Sequence, residues 1–155
     1  MAASGAAISV TIEAPCAALA DEADLRRLVA HALAAEGRTA PVAVAAVVVD
    51  DAAIHDLNRR FLGHDEPTDV LTFPLGEDGP GFVNAGPRQL GEVYVSCERA
   101  AAQCAEWGNS PAREVRFLVV HGVLHLLGWD DATPEDRARM LARQEAILAA
   151  YEAAR

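Results

Sequence analysis

The sequence predicts a single α/β (α+β) domain in which a small mixed β-sheet is covered by helices. Short β-branched runs, apolar residues at helical spacing between them, and capped helices towards the end of the chain support this fold class. Of the 155 residues, 52% are hydrophobic and 23% are charged, which is typical of a globular protein. We find no internal repeat and no linker in the sequence, so one domain is predicted over residues 1–155.

The first half of the chain predicts strands and helices in alternation. Residues 8–12 form a short alternating strand, and 42–49 is a nearly continuous β-branched and alanine run, typical of a strand buried on both faces. Between them, apolar residues at helical spacing predict a helix over 21–36. Asp50 is expected to cap a short helix that continues through Phe61.

The second half predicts two short strands followed by helices. The strands are expected at 69–73 and 91–95, separated by a segment rich in Gly and Pro at 76–90 that predicts an exposed loop. Proline at the first helical position marks the start of the last two helices. Three helices are predicted in this half. The first begins at the cap Ser96 and ends near Trp107. The second begins at Ser110 and ends beyond His125, and the third begins at Thr133 and ends near Tyr151.

The net charge and the distribution of apolar residues limit the kinds of partner that the protein is expected to bind. The formal net charge of -10 counts against broad, nonspecific binding to nucleic acid, which depends on Lys and Arg neutralising phosphates, although it is compatible with a local basic patch. The N-terminus lacks the features of a signal peptide, and the sequence has no apolar run long enough to cross a bilayer. We therefore expect no membrane association.

The cysteines indicate the compartment. Cys16, Cys97 and Cys104 are odd in number and have no CxxC spacing. We interpret Cys97 and Cys104 as small core residues, and a reducing cytosol is the simplest compartment. A cytoplasmic location is the resulting expectation.

The segment from His121 to Asp131 is the most informative part of the chain. His121 and His125 are four residues apart on a predicted helix, so their imidazoles share one face and can reach one metal ion. Gly128 predicts the end of that helix and a turn that presents Asp131 as a third ligand. Three protein ligands plus water are typical of a catalytic metal site. From the pattern alone, two hydrogen-bonded core histidines remain the alternative.

Residue 122 distinguishes between two hydrolytic chemistries. The wider spacing is similar to the metal-binding segment of metzincin peptidases, but the general base that follows the first histidine in HExxH zinc peptidases is replaced here by Gly122. A metzincin-like metallopeptidase is therefore disfavoured. A metal-bound water supports phosphodiester hydrolysis without a carboxylate at this position.

Three segments together resemble the bacterial YbeY family of ribosomal RNA maturation endoribonucleases. They are residues 121–131, residues 57–74 with the run DEPTDVLTFP, and residues 90–96, LGEVYVS. The resemblance extends from about Val42 to Ile147.

The resemblance implies a zincin-like fold and a single-strand-specific, metal-dependent endoribonuclease. Its substrate would be precursor ribosomal RNA at the 3′ end of the small-subunit RNA, and the ribosomal small subunit would be its partner in late maturation. One zinc ion per chain would be bound at the positions of His121, His125 and Asp131. A ribosome assembly factor that is not catalytic, with a structural metal, is the alternative from another class.

The sequence departs from the family pattern at two positions. The third ligand is commonly His in the family and is Asp131 here, which favours a harder metal. Leu62 stands where the family often has Arg, a group proposed to act in catalysis or RNA binding, and Arg59 and Arg60 are the nearby substitutes. We assign no catalytic side chain and no oligomeric state from the sequence.

Residues 64–69 are the remaining candidates near the predicted cleft. His64 and Asp65 are candidates to line it, whereas Thr68 and Asp69 are interpreted as turn and strand-start residues.

Overall fold

A computed structural model of the chain describes residues 6–38, 41–75 and 88–155. Within these ranges, four strands and five α-helices form one α/β arrangement, with short 3₁₀ helices at Ala14–Cys16 and Cys104–Trp107. The strands are β1 (Ala7–Ile12), β2 (Val42–Val49), β3 (Val70–Pro74) and β4 (Arg88–Ser96), and the helices are α1 (Glu22–Ala35), α2 (Asp51–Leu62), α3 (Cys97–Gln103), α4 (Pro111–Leu126) and α5 (Pro134–Ala154).

The sheet is mixed, as the sequence predicts. Its strand order is β1-β2-β4-β3; β2 pairs in parallel with β1 and β4, and β3 pairs with β4 in the antiparallel direction. Along β2 most residues alternate between buried and half-buried, because α1, α4 and α5 contribute to the core on one face while α2 packs on the other. The predicted burial of β2 on both faces is therefore only partly observed.

Helix α4 lies at the centre of the domain. It contacts α1, α3 and α5 on its sides and packs on β3 and β4 of the sheet. Val115, Val119 and Val123 have no exposed surface. A helix packed this tightly is a stiff support for any functional side chain it carries.

The structure corrects two boundaries. β4 begins at Arg88, so residues 88–90, predicted as loop, belong to a strand. Val42 and Ala43 of β2 pair with Arg88 and Gln89, and the register shifts before Gly91. The rest of the predicted loop, 76–87, lies outside the described residues. The helix predicted to reach Trp107 is α-helical only to Gln103 and continues as a 3₁₀ helix, which ends at Gly108 with φ +71°.

Cys97 and Cys104 are both buried, as interpreted, but the expectation of reduced cysteines is wrong for Cys16 and Cys97. Cys16 and Cys97 form a disulfide that joins residues 81 positions apart, whereas Cys104 is buried and free as expected. The sequence has no local spacing that signals this pair. It arises because the turn after β1 lies near the start of α3, which follows β4 on the same side of the sheet.

Within the described ranges, no helix combines the length and the apolar character that crossing a bilayer requires.

Candidate metal centre

The turn after α4 brings Asp131 back towards the helix. α4 starts at the predicted cap, where the Ser110 hydroxyl accepts a hydrogen bond from the Arg113 amide at 3.1 Å. At its end, Gly128 has φ +101°, and the Trp129 amide donates to the Leu124 carbonyl at 3.0 Å. This pattern is a Schellman motif, and it places the following residues beside the last helical turn.

Three side chains meet at this turn. Oδ2 of Asp131 lies 3.6 Å from Nε2 of His121 and 3.4 Å from Nε2 of His125. One ligand atom of each residue lies within 4.8 Å of the others. The three residues that the sequence predicts as ligands are therefore adjacent in space.

Each imidazole is oriented by a hydrogen bond at its other nitrogen. Gln144 on α5 donates from Nε2 to the Phe117 carbonyl at 3.0 Å, so its Oε1 is the acceptor for Nδ1 of His121 at 2.9 Å. Nδ1 of His125 donates to the carbonyl of Trp129 at 3.0 Å, since a carbonyl oxygen can only accept. Both rings thus carry a proton on Nδ1 and, when neutral, direct the Nε2 lone pair towards Asp131.

This donor set fits a divalent cation. Two lone pairs and a carboxylate oxygen converge at 3.4–3.6 Å without a proton between them when the imidazoles are neutral, and a cation relieves that repulsion. Burial lowers the pKa of His121, and the neighbouring His125 lowers it further, outweighing the hydrogen bond to Gln144 and the charges of Asp131 and Asp69. The lowered pKa favours the neutral form of His121, which is the form that a metal ligand requires.

A cavity of about 250 Å³ opens beside the cluster. His121 and Asp131 line it on one side, and the side chains of Trp107, Phe117 and Leu141 give it an apolar wall. The side chain of Asp131 is 36% exposed, compared with 17% for His121, so the site is open from the side of the turn. Solvent or a substrate can reach the cluster from there.

A chain of polar side chains extends from the cavity into the core. Nε2 of Gln103 donates to Oδ2 of Asp69 at 3.1 Å and to Oε2 of Glu114 at 3.0 Å. Glu114 is fully buried, and its Oε1 accepts from Asn109 at 2.7 Å. Sequence patterns do not mark Gln103, Glu114 or Gln144 as functional candidates, because each acts through a partner at least 11 positions away. Trp107 is distinguished only by its exposure in the folded structure.

The arginines near Leu62 are not at the cluster. Arg59 and Arg60 both pair with Asp56 on α2, at 2.6 Å and 3.3 Å. α2 packs on the face of the sheet opposite to α4, and Leu62 is exposed at its end. The structure therefore brings neither Arg59 nor Arg60 into this cavity.

The candidates that precede β3 fall into two groups. Asp65 pairs with His55 at 2.8 Å, and within the described part of the chain neither Asp65 nor His64 lines the cavity. The Asp69 carbonyl accepts from the Ser96 amide at 2.9 Å, which confirms a strand-start role, but its side chain also reaches the cavity. The cavity role of Asp69 was missed.

Packing against the sheet explains why residue 122 is glycine, and the same packing leaves no room for a catalytic glutamate at this position. A Cβ atom at this position would overlap the side chain of Val93 on β4. The helix face that carries residue 122 is therefore pressed against the sheet and points away from the cluster. A glutamate at this position, as in HExxH peptidases, has no room here.

The fold and the cluster together define an α/β protein with a His-His-Asp site suited to one metal ion. The chain matches the family model described as "Endoribonuclease YbeY" over residues 12–152. It belongs to the endoribonuclease YbeY family, which confirms the resemblance identified in the sequence.

Individual relatives agree with this assignment. An endoribonuclease YbeY from Roseiflexus sp. (strain RS-1) is 44% identical over 146 residues, covering 92% of this chain and 91% of the relative. One from Moorella thermoacetica is 49% identical over 129 residues, covering 81% and 83%. The solution structure of TM1509 from Thermotoga maritima matches with a TM-score of 0.61 and 29% identity, over 91% of this chain and 86% of that structure.

Proposed function

We propose that this protein is a zinc-dependent endoribonuclease that cuts single-stranded precursor ribosomal RNA at the 3′ end of the small-subunit RNA. Membership of the family makes it an endoribonuclease in ribosomal RNA processing, and RNA is its substrate. The metal ligands in this proposal are His121, His125 and Asp131. The observation that carries it is the fixed orientation of both imidazoles, each held at Nδ1 with Nε2 directed at Asp131.

The residues of the site have two roles: some hold the metal ligands in place, and Asp131 borders the open side of the site. When bound, the ion supplies a Lewis acid for a phosphoryl oxygen and lowers the pKa of its water to about 7. Gln144 and the Trp129 carbonyl keep the imidazoles in one tautomer, which raises their basicity as ligands. Asp131, the most exposed ligand, borders the side from which the RNA enters.

Zinc is the metal proposed, with one ion per chain. Two imidazoles and one carboxylate form a ligand set found in catalytic zinc sites. The Asp131 oxygen shifts the preference towards harder cations such as Mn²⁺, relative to a third imidazole.

Two other functions are less well supported. A metzincin-like peptidase needs a general base that the packing of Gly122 against Val93 excludes. A ribosome assembly factor with a purely structural metal does not account for an open cavity that shares two of the proposed ligands. The endoribonuclease is therefore the function that the site and the family support together.

The proposal includes the setting in which the protein acts. We place the whole chain, residues 1–155, in one domain that acts on the ribosomal small subunit. The cytoplasm is the proposed location because that is where a bacterial ribosome is assembled. The disulfide between Cys16 and Cys97 is the observation that runs against a reducing compartment.

Metal content and RNA cleavage, measured on the same samples, test this function. Wild type is expected to carry about one zinc per chain and to cleave a single-stranded fragment of the small-subunit RNA 3′ end, and His125→Ala is expected to lose both. His55→Ala is the matched control, because His55 lies on α2 and pairs with Asp65. If metal-loaded wild type leaves the RNA intact, the proposed endoribonuclease activity is wrong. If wild type binds no metal, the proposed metal site is wrong.

A further inference from the structure

We propose that the cavity beside the metal cluster binds the nucleobase next to the scissile phosphate, and that its polar wall favours bases with an exocyclic amino group. This inference rests on the proposed endoribonuclease function. It assigns a specificity pocket, with Trp107 as the stacking residue and Asp69 as the residue that reads the base.

The position of the cavity ties its occupant to the reacting phosphate. His121 and Asp131 belong both to the metal cluster and to the cavity lining. A phosphate at the cluster therefore has its neighbouring nucleoside within reach of this cavity. About 250 Å³ accommodates one heterocyclic base and excludes a base pair, which agrees with a single-stranded substrate.

The apolar wall is built for an aromatic ligand. Trp107 is 51% exposed, although it is one of the largest hydrophobic side chains in the chain. Its ring lies 6.1 Å from that of Phe117, tilted by 40°, and both line the cavity with Leu141. An exposed indole beside a buried phenyl ring gives a flat base a surface to stack on, and every base can use such a surface.

The polar wall presents hydrogen-bond acceptors. Nε2 of Gln103 donates one hydrogen bond to Asp69 and one to Glu114, and these bonds fix both carboxylates at the cavity. Oδ1 of Asp69 is 3.5 Å from the Thr68 hydroxyl, at the limit of a hydrogen bond, and so keeps acceptor capacity. A carboxylate accepts from the amino group of adenine, cytosine or guanine, whereas uracil presents carbonyl oxygens at the corresponding positions.

The charge of the chain makes stacking the main source of affinity. With a formal net charge of -10, long-range attraction of the RNA backbone is weak, so local contacts must hold the substrate. Arg137 lines the cavity from the first turn of α5 and is exposed there. It is placed to contact the phosphate of the bound nucleotide.

Binding of single nucleotides tests the pocket without catalysis. CMP is expected to quench the tryptophan fluorescence of metal-loaded wild type, and UMP to do so only at several-fold higher concentration. Trp107→Phe and Trp107→Ala both leave Trp129 as the only indole, so the part of the signal that they remove belongs to Trp107. Equilibrium dialysis with radiolabelled CMP is expected to show binding kept by Trp107→Phe and weakened about tenfold by Trp107→Ala.

Cleavage of short RNAs that differ in one base tests the reading of the base. In wild type, RNAs with C or A beside the cleaved bond are expected to be cut more efficiently than the same RNA with U. Asp69→Asn is expected to abolish this ratio, because an amide can also donate to a uracil carbonyl. The ratio is measured within one variant, so an overall loss of rate cancels.

The outcomes separate this inference from the function on which it rests. If metal-loaded wild type does not cleave RNA, the proposed endoribonuclease function is overturned, whereas the nucleotide titration tests the pocket alone. CMP that binds Trp107→Ala as tightly as wild type overturns the stacking role. A base ratio that Asp69→Asn leaves unchanged overturns the reading of the base.

Discussion

The carboxamide oxygen of Gln144 lies 2.9 Å from Nδ1 of His121, and this contact joins α5 to the proposed metal site. The other end of the same carboxamide is fixed by the Phe117 carbonyl. Gln144 is 1% exposed, so water cannot easily replace the acceptor if the side chain is removed. His121 therefore depends on Gln144 for both its tautomer and its orientation.

Replacement of Gln144 is expected to weaken metal binding. Gln144→Met keeps the volume and removes the acceptor, so the zinc affinity should fall about 10- to 100-fold. Competition with a chromophoric chelator measures this affinity. Gln89→Met is the control, because it makes the same change at an exposed position of β4. Equal zinc affinity in Gln144→Met and wild type would show that His121 needs no orienting partner.

Replacement of Asp131 is expected to change the preference between metals. Asp131→His exchanges an oxygen ligand for a nitrogen ligand and removes a negative charge, so binding of Zn²⁺ should gain relative to Mn²⁺. We expect a shift of about tenfold in the ratio of the two affinities, measured by competition at fixed pH. Asp130→His is the matched control, since Asp130 accepts a hydrogen bond from the Ala132 amide in the turn. A ratio that stays constant in Asp131→His would place Asp131 outside the ligand set.

A side chain at position 122 is expected to destabilise the protein. Gly122→Ala places a methyl group against Val93, which should lower the free energy of unfolding by about 1–3 kcal/mol. Chemical denaturation measures the loss. Val93→Ala in the same chain serves as the control, because relief of the overlap should make the double substitution less costly than the sum of the two. Strict additivity would argue against the contact.

Asp24 is expected to make stability depend on pH in the acid range. Burial raises the pKa of Asp24, but hydrogen bonds from Tyr151 and Arg116, with the arginine charge, outweigh it and hold the pKa below its usual value. The Tyr151 hydroxyl donates to Oδ1 of Asp24 at 2.6 Å, and Arg116 binds Oδ2 at 2.8 Å. The ionised form of Asp24 is thus more favourable in the folded protein than in the unfolded chain. The contribution of Asp24 to stability is complete above the pKa that it has in the unfolded chain, and it is lost as the pH falls through the pKa that it has in the folded protein.

Denaturation of Asp24→Asn at several pH values measures this contribution. The variant should be less stable than wild type by about 2–3 kcal/mol at pH 7, and the difference should shrink below pH 4. Asp56→Asn is the control: its pKa is also lowered, first by Arg60 and then by Arg59, but the pair is exposed and should affect stability little. A difference between Asp24→Asn and wild type that is the same at pH 7 and pH 3 would contradict the role of its charge.

The disulfide is expected to be visible as a thiol count. Denatured, non-reduced protein should release one reactive thiol, from Cys104, and reduction should raise the number to three. Because the bond joins residues 81 apart, its loss should lower the free energy of unfolding by about 4 kcal/mol. Cys16→Ser tests the loss, and Cys104→Ser is the control. Three reactive thiols before reduction would show that the pair is open in the isolated protein.

Local rules account for what the sequence could predict of the site. The His121 and His125 pair follows from helical periodicity, and the turn follows from the conformational freedom of Gly128. The cap at Thr133 is confirmed by its hydrogen bond from the Asp136 amide at 3.0 Å. Each of these depends on residues within a few positions of each other, so the sequence displays them directly.

Tertiary neighbours account for what the sequence could not predict. Gln144 is 23 positions from His121, and Gln103 is 34 positions from Asp69. Nothing in the local pattern of a glutamine on an amphipathic helix distinguishes an acceptor for a ligand from a surface residue. The burial of Gln144 and the exposure of Trp107 are the signals, and both require the packed structure.

The Schellman turn after α4 has a consequence for the order in which the site can form. All three proposed ligands lie within residues 121–131, so their clustering costs little chain-closure entropy and needs only one helix and its turn. Gln144 lies further along, on α5, and it can orient His121 only after that helix has docked. A nascent chain can therefore gather the ligands before it can hold them in their final tautomer. Completion of the last helix is then the step that separates a loose metal chelate from a pre-organised centre.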